Sequence, residues 1–100
     1  NVQKYVEDHY SEKLTTARIA ASVSLSPSYL SALFKEKMHL SIHDYLIRVR
    51  IEKSIELMAN RDLSIKEIMV QCGIESQSYY NKVFKKFIGV TPGRYRNRLL

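Results

Sequence analysis

Cysteine occurs once in this 100-residue chain, glycine three times, proline twice and tryptophan not at all. A lone Cys72 excludes an internal disulfide, and it falls on an apolar helical position, so a packing role is its expected one. His9, His39 and His43 have no ligand-like spacing with it, which argues against a zinc site. So few glycines and prolines, without any sustained alternation of apolar and polar residues, exclude a strand-rich architecture. Apolar runs last only a few residues, far short of a bilayer. No charged-then-apolar leader opens the sequence, and no Met precedes Asn1. A fragment of a longer cytoplasmic protein is the expectation.

Acid is missing from one region altogether. Residues 1–75 carry ten Lys/Arg and ten Asp/Glu, whereas residues 76–100 carry Lys82, Lys85, Lys86, Arg94, Arg96 and Arg98 and no carboxylate. The whole formal charge of +6 therefore lies in the last quarter. A concentrated cationic surface of this kind suits a polyanionic partner.

What the chain has in quantity is helical periodicity. Val2, Tyr5, Val6, His9 and Tyr10 share one face of a first helix, and Ile19, Ala20 and Val23 suggest a short second. Ser26-Pro27 is a cap followed by proline at the first helical position. It opens a third helix with Leu30, Leu33, Phe34 and Met38 on its apolar side. Ser41, with Asp44 three residues on, opens a fourth that continues through Ile55 and Met58 to about Asn60. Ser64 and Glu67 form a capping box for a fifth, stopped by Gly73. Ser76 begins a sixth along Tyr80, Val83, Phe84 and Phe87, and Thr91-Pro92 a last short one through Tyr95. The predicted class is all-α, with about seven helices.

The helices repeat. At a shift of 49, Leu14, Ile19, Ala20, Val23 and Leu25 fall on Leu63, Ile68, Met69, Cys72 and Ile74. One residue is added at the next turn, and at a shift of 50 Tyr29, Leu30, Phe34, Lys35 and Met38 fall on Tyr79, Tyr80, Phe84, Lys85 and Ile88. Ser41, Tyr45 and Arg48 continue onto Thr91, Tyr95 and Arg98. One supersecondary unit has been made twice. Each copy is a short helix, a tight turn (Val23-Ser24-Leu25, then Cys72-Gly73-Ile74) and a longer amphipathic helix. These are the ingredients of helix-turn-helix, whose second helix enters the DNA major groove.

The outer face of each second helix then becomes the candidate reading surface. In the first copy it presents Ser28, Ser31, Ala32 and Lys35 opposite Leu30, Leu33 and Phe34. In the second it presents Ser78, Asn81, Lys82 and Lys85 opposite Tyr80, Val83 and Phe84, with Gln77 near the tip. Gln and Asn pair bidentately with adenine, and Lys reaches guanine. A helix over 41–59 measures about 28 Å, close to the roughly 34 Å that separates successive major-groove faces. The expected organisation is a single DNA-binding domain: a first unit at 1–40, a linker helix at 41–60 and a second unit at 61–100.

Two stretches carry a family resemblance. "SPSYLSALFKEKMHLSIHDYLIRVRIEKSIELM" (26–58) and "LSIKEIMVQCGIESQSYYNKVFKKFIGVTPGRYR" (63–96) resemble the DNA-binding domain of AraC/XylS-family transcription regulators. The lead-in "YVEDHYSEKLTTARIA" (5–20) is most similar to YesN-type response regulators, where such a domain follows a phosphorylatable receiver. The resemblance implies transcriptional regulation, commonly activation, with RNA polymerase as a further partner beside double-stranded DNA. It also implies base contacts by Ser28, Ser31, Ala32, Gln77, Ser78, Asn81 and Lys82, and phosphate contacts by Lys35, Lys85 and Lys86. The chain departs from the family at His39, which often is Gly, and at Ile42, which often is Phe. A less regular exit from the first unit is therefore expected. Ser31 and Ala32 are short for base-reading positions, which shifts the expected hydrogen bonding to the second unit.

Other classes fit less well. No Ser/His/Asp or Cys/His arrangement recurs and no glycine loop cradles phosphate, so no catalytic residue, cofactor or metal is expected. A helical protein-interaction module leaves the duplicated polar faces and the charge asymmetry unexplained. A-form RNA has a major groove too deep and narrow for a helix. The isolated chain is expected to be a monomer, and a dimer is left open for the full-length protein.

Overall fold

The structure is a computed structural model that describes residues 1–99. Among the described residues there are seven helices and no strand: α1 (Val2–His9), α2 (Thr16–Ser22), α3 (Pro27–Met38), α4 (Ile42–Leu57), α5 (Ile65–Gln71), α6 (Gln77–Ile88) and α7 (Pro92–Arg98). The all-α reading holds. Two ends differ from the sequence expectation. α4 stops at Leu57 rather than near Asn60, its last turn tightening as the Met58 N–H is shared between the carbonyls of Ser54 and Ile55, each at 3.1 Å. α7 runs on past Tyr95 to Arg98.

The chain forms two compact units, Asn1–Val49 and Arg50–Leu100, divided within α4. In the first unit Val6, Ile19, Ala20, Leu30, Phe34, Ile42, Tyr45, Leu46 and Val49 make one buried cluster. In the second, the buried side chains include Ile51, Met58, Ile68, Met69, Cys72, Ile74, Tyr80, Val83 and Phe84. The repeat extends to aromatic geometry. Phe34 and Tyr45 meet edge-on at 5.4 Å between centroids, and Phe84 and Tyr95 meet the same way at 5.7 Å. Edge-to-face contact is the arrangement that ring quadrupoles prefer.

Capping repeats as well. The side-chain oxygens of Thr15 and Ser64 each accept an N–H three residues on, from Arg18 and Glu67, both at 3.0 Å. Only Ser64 has the reciprocal bond, from its own N–H to Glu67 Oε1 at 2.9 Å. That bond holds the Glu67 carboxyl below its usual range. Position 18 is arginine and does something else. Its Nη2 donates to Glu12 Oε1 at 2.6 Å and its Nε to the Tyr5 hydroxyl at 3.1 Å. His9 Nδ1 lies 2.7 Å from the other Glu12 oxygen, so α1 and the loop after it are tied to the start of α2. These exposed bonds lower the Glu12 pKa, that of Arg18 contributing most.

The turns inside the two helix-turn-helix units are the same turn. Ser24 takes φ 57° and Gly73 φ 89°. Ser24 N–H donates to Ala21 O at 3.2 Å and Leu25 N–H to Ala20 O at 3.0 Å; the matching pairs are Gly73 to Val70 and Ile74 to Met69, both at 3.0 Å. Crossed bonds around a left-handed residue satisfy the carbonyls that a helix end leaves unpaired. The exits of α3 and α6 also match, because His39 adopts φ 62° where Gly89 adopts φ 98°. The expected irregularity at His39 is therefore absent: the backbone there has glycine geometry without glycine.

Candidate nucleic-acid interface

The candidate surface is built on α3 and α6. Each begins at a serine whose hydroxyl accepts the N–H of the third helical residue, Ser26 from Tyr29 and Ser76 from Tyr79, both at 3.3 Å. Each is fixed from beneath by buried side chains, Leu30 and Phe34 in α3, and Tyr80, Val83 and Phe84 in α6. With the inner face anchored, the opposite face is set by the helical period.

All ten residues singled out in the sequence lie on the exposed side: Ser28, Ser31, Ala32 and Lys35 on α3, and Gln77, Ser78, Asn81, Lys82, Lys85 and Lys86 on α6. Within α6, Ser78 Oγ lies 3.2 Å from the cap hydroxyl of Ser76, which orients it across the helix start. Lys86 Nζ sits 5.7 Å from the centre of the Phe87 ring. α3 carries Lys35, Glu36 and Lys37, whereas α6 carries Lys82, Lys85 and Lys86 without an acid. Counted by unit, the formal charge is +1 for residues 1–49 and +5 for 50–100. The second face is the stronger attractor for an anion.

Not every cation of the last quarter is available to a ligand. Arg96 Nη2 donates to the Asn60 carbonyl at 2.9 Å, tying α7 to the segment that follows α4. Arg50 of α4 is half-buried, and its pKa is lowered, first by loss of hydration, while the Tyr79 phenol opposes that shift. No group of three or more His, Cys, Asp or Glu suited to a metal occurs among the described residues. Among them, too, no helix is long and apolar enough to cross a membrane.

In the sequence, Tyr29 and Tyr79 have no role beyond marking the repeat. The structure leaves them 58% and 38% exposed, unlike Tyr45 and Tyr80, which are buried. Their place on the helix wheel was readable, since both fall outside the apolar stripe, but aromatic residues are more often assigned to cores.

Residues 19–98 match the family model described as a helix-turn-helix domain. The chain is 34% identical over 98 residues to the Msm operon regulatory protein of Streptococcus mutans, covering 98% of this chain and 35% of that protein. It spans about a third of the length of the curated relatives it matches. Among solved structures it is similar to the C-terminal domain of the two-component response regulator YesN from Fusobacterium nucleatum, with TM-score 0.85, 33% identity and coverage of 95% of this chain and 93% of that one. The C-terminal domain of AraT, a response regulator from Geobacillus stearothermophilus, gives TM-score 0.88 and 35% identity, covering 97% of this chain and 81% of that one. With the duplicated turns, the paired polar faces and this match over both copies, the chain belongs to the AraC-type helix-turn-helix DNA-binding domains.

Proposed function

We propose that this chain is the DNA-reading output domain of a response regulator, cytoplasmic, and that it activates transcription in contact with RNA polymerase. In this reading α3 and α6 enter successive major-groove segments of one duplex. Residues 41–60 connect the two readers, and one copy of the chain suffices. The observation that carries the proposal is the repetition of one polar outer face on two helices that are capped, terminated and anchored alike. Similarity to the C-terminal domains of YesN and AraT supports the response-regulator assignment.

The two faces divide the work unequally. Gln77, Ser78, Asn81 and Lys82 supply the base-specific hydrogen bonds, Gln and Asn toward adenine and Lys toward guanine. Ser28, Ser31 and Ala32 make closer, weaker contacts. Lys35, Lys85 and Lys86 neutralise phosphates, which positions the domain without reading sequence.

Site selection from a random duplex library at about 0.1 M salt tests the reading. Two enriched blocks with centres about one helical turn apart are expected. Gln77→Ala and Asn81→Ala are expected to relax the preference in one block. Binding without enrichment, or larger losses from Ser28→Ala and Ser31→Ala, overturns this assignment.

A further inference from the structure

The two tyrosines most exposed to solvent stand at the same position of the repeat, the third residue of α3 and of α6. The other five tyrosines are buried or half-buried. Burial therefore does not account for Tyr29 and Tyr79, and the coincidence of place asks for a shared ligand.

The helix wheel says where they point. At 100° per residue, Tyr29 lies about 60° to one side of Ala32, and Lys35 about 60° to the other. Tyr79 and Lys85 flank Lys82 in the same way. A helix seated in the major groove has a sugar-phosphate strand along each flank, and tyrosine is among the side chains that donate to phosphate oxygens. The geometry points to Tyr29 and Tyr79 as backbone clamps, their phenols donating to phosphates of the strand opposite the one met by Lys35 and Lys85. This rests on the major-groove reading above, and it adds a second wall of contacts to it. Each face then holds both walls of its groove while the residues between them meet the bases. The flanks differ in strength. Seven residues on from Tyr29 along its flank stands Glu36, whereas Lys86 stands seven on from Tyr79. The second clamp is the tighter one.

Tyr29→Phe and Tyr79→Phe remove one hydroxyl each and keep the ring. Affinity is measured on an about 25-base-pair duplex recovered by site selection, long enough for two helical turns, and on a scrambled duplex of equal length. Each variant is expected to lose about three- to tenfold on both duplexes, the value of one hydrogen bond, with Tyr79→Phe losing more. The salt dependence stays that of the parent, because a neutral donor releases no counterion. Phosphate-ethylation interference on the parent is expected along both strands of each block, and the interference on one strand is expected to fade in the Phe variants. Unchanged affinity in either variant, an altered sequence preference, or parental interference on one strand only overturns the inference while leaving DNA reading intact. Failure of the parent to bind any duplex removes both readings together.

Discussion

His39 and Gly89, fifty positions apart, close their helices in the same left-handed conformation, φ 62° and 98°. Each donates its N–H to the carbonyl four residues back, to Lys35 at 2.9 Å and to Lys85 at 2.8 Å. A side chain with a Cβ is strained there and glycine is not. His39→Gly and Ser24→Gly are each expected to stabilise the first unit by about 0.5–1 kcal/mol. Gly89→Ala is expected to destabilise the second by about 1 kcal/mol through backbone strain alone, since a Cβ at that position meets nothing within 4 Å. Urea melts of the three variants check the signs. A loss of stability in both glycine variants refutes the strain argument.

The Tyr80 side chain is fully buried, and its hydroxyl has no partner with hydrogen-bond geometry. Ser54 lies close enough to influence it, but the Ser54 hydroxyl already donates to Ile51 O at 2.6 Å. A buried hydroxyl without a bond is desolvated without return. Tyr80→Phe is therefore expected to be neutral or stabilising by up to about 1 kcal/mol. Thermal melting decides it, and a clear drop in Tm shows that the hydroxyl is bonded in solution.

Burial pushes the Cys72 thiol from its ordinary 9.0 up to about 11, and the Tyr80 phenol from 10.0 up to about 12. Both groups are held neutral in the folded state and ionise more easily once unfolded. Their contribution is complete below about pH 9 and is lost as pH rises towards 11–12. Unfolding free energy followed from pH 8 to 11 is expected to fall, and Cys72→Ala is expected to flatten the lower part of that fall. In the native state Cys72 should also resist thiol reagents until the second unit opens. Rapid labelling at pH 8 without unfolding contradicts the burial.

Charge on the second unit sets the salt response. Neutralising about six phosphates gives a log–log slope near −5 for affinity against salt, and Lys85→Ala is expected to make it shallower by about one. Titration by fluorescence anisotropy at three salt concentrations measures both. A slope near zero in the parent removes the electrostatic contribution to binding.

Much of this was legible because the signals are local. Ser26-Pro27, Ser64 with Glu67, and Thr91-Pro92 each announce a helix start within four residues, and each start stands where it was read. The repeat placed the turns and identified both outer faces, since the helical period alone separates Leu30 and Phe34 from Ser28, Ala32 and Lys35. Ser24 escaped notice because serine does not advertise a left-handed backbone, and only its match to Gly73 reveals it; His39 was singled out for replacing glycine, but its side chain gives no sign that the backbone keeps the left-handed conformation. The Arg18–Glu12–Tyr5 network was illegible for a different reason: it depends on how α1 lies against α2, which no spacing encodes. Arg96 counted as a basic residue of the tail, yet a carbonyl 36 residues away holds it.

The unequal charge of the two units, +1 and +5, separates arrival from residence. A duplex diffusing past the chain feels a charged surface only within about 8 Å at 0.15 M ionic strength. On the proposed two-reader binding, the second unit is then the one expected to capture it. The first unit is expected to join a duplex already held nearby, at an effective concentration set by its tether to the second. Substitutions on α6 that remove charge thus slow encounter, while those on α3 shorten the lifetime of the complex once formed.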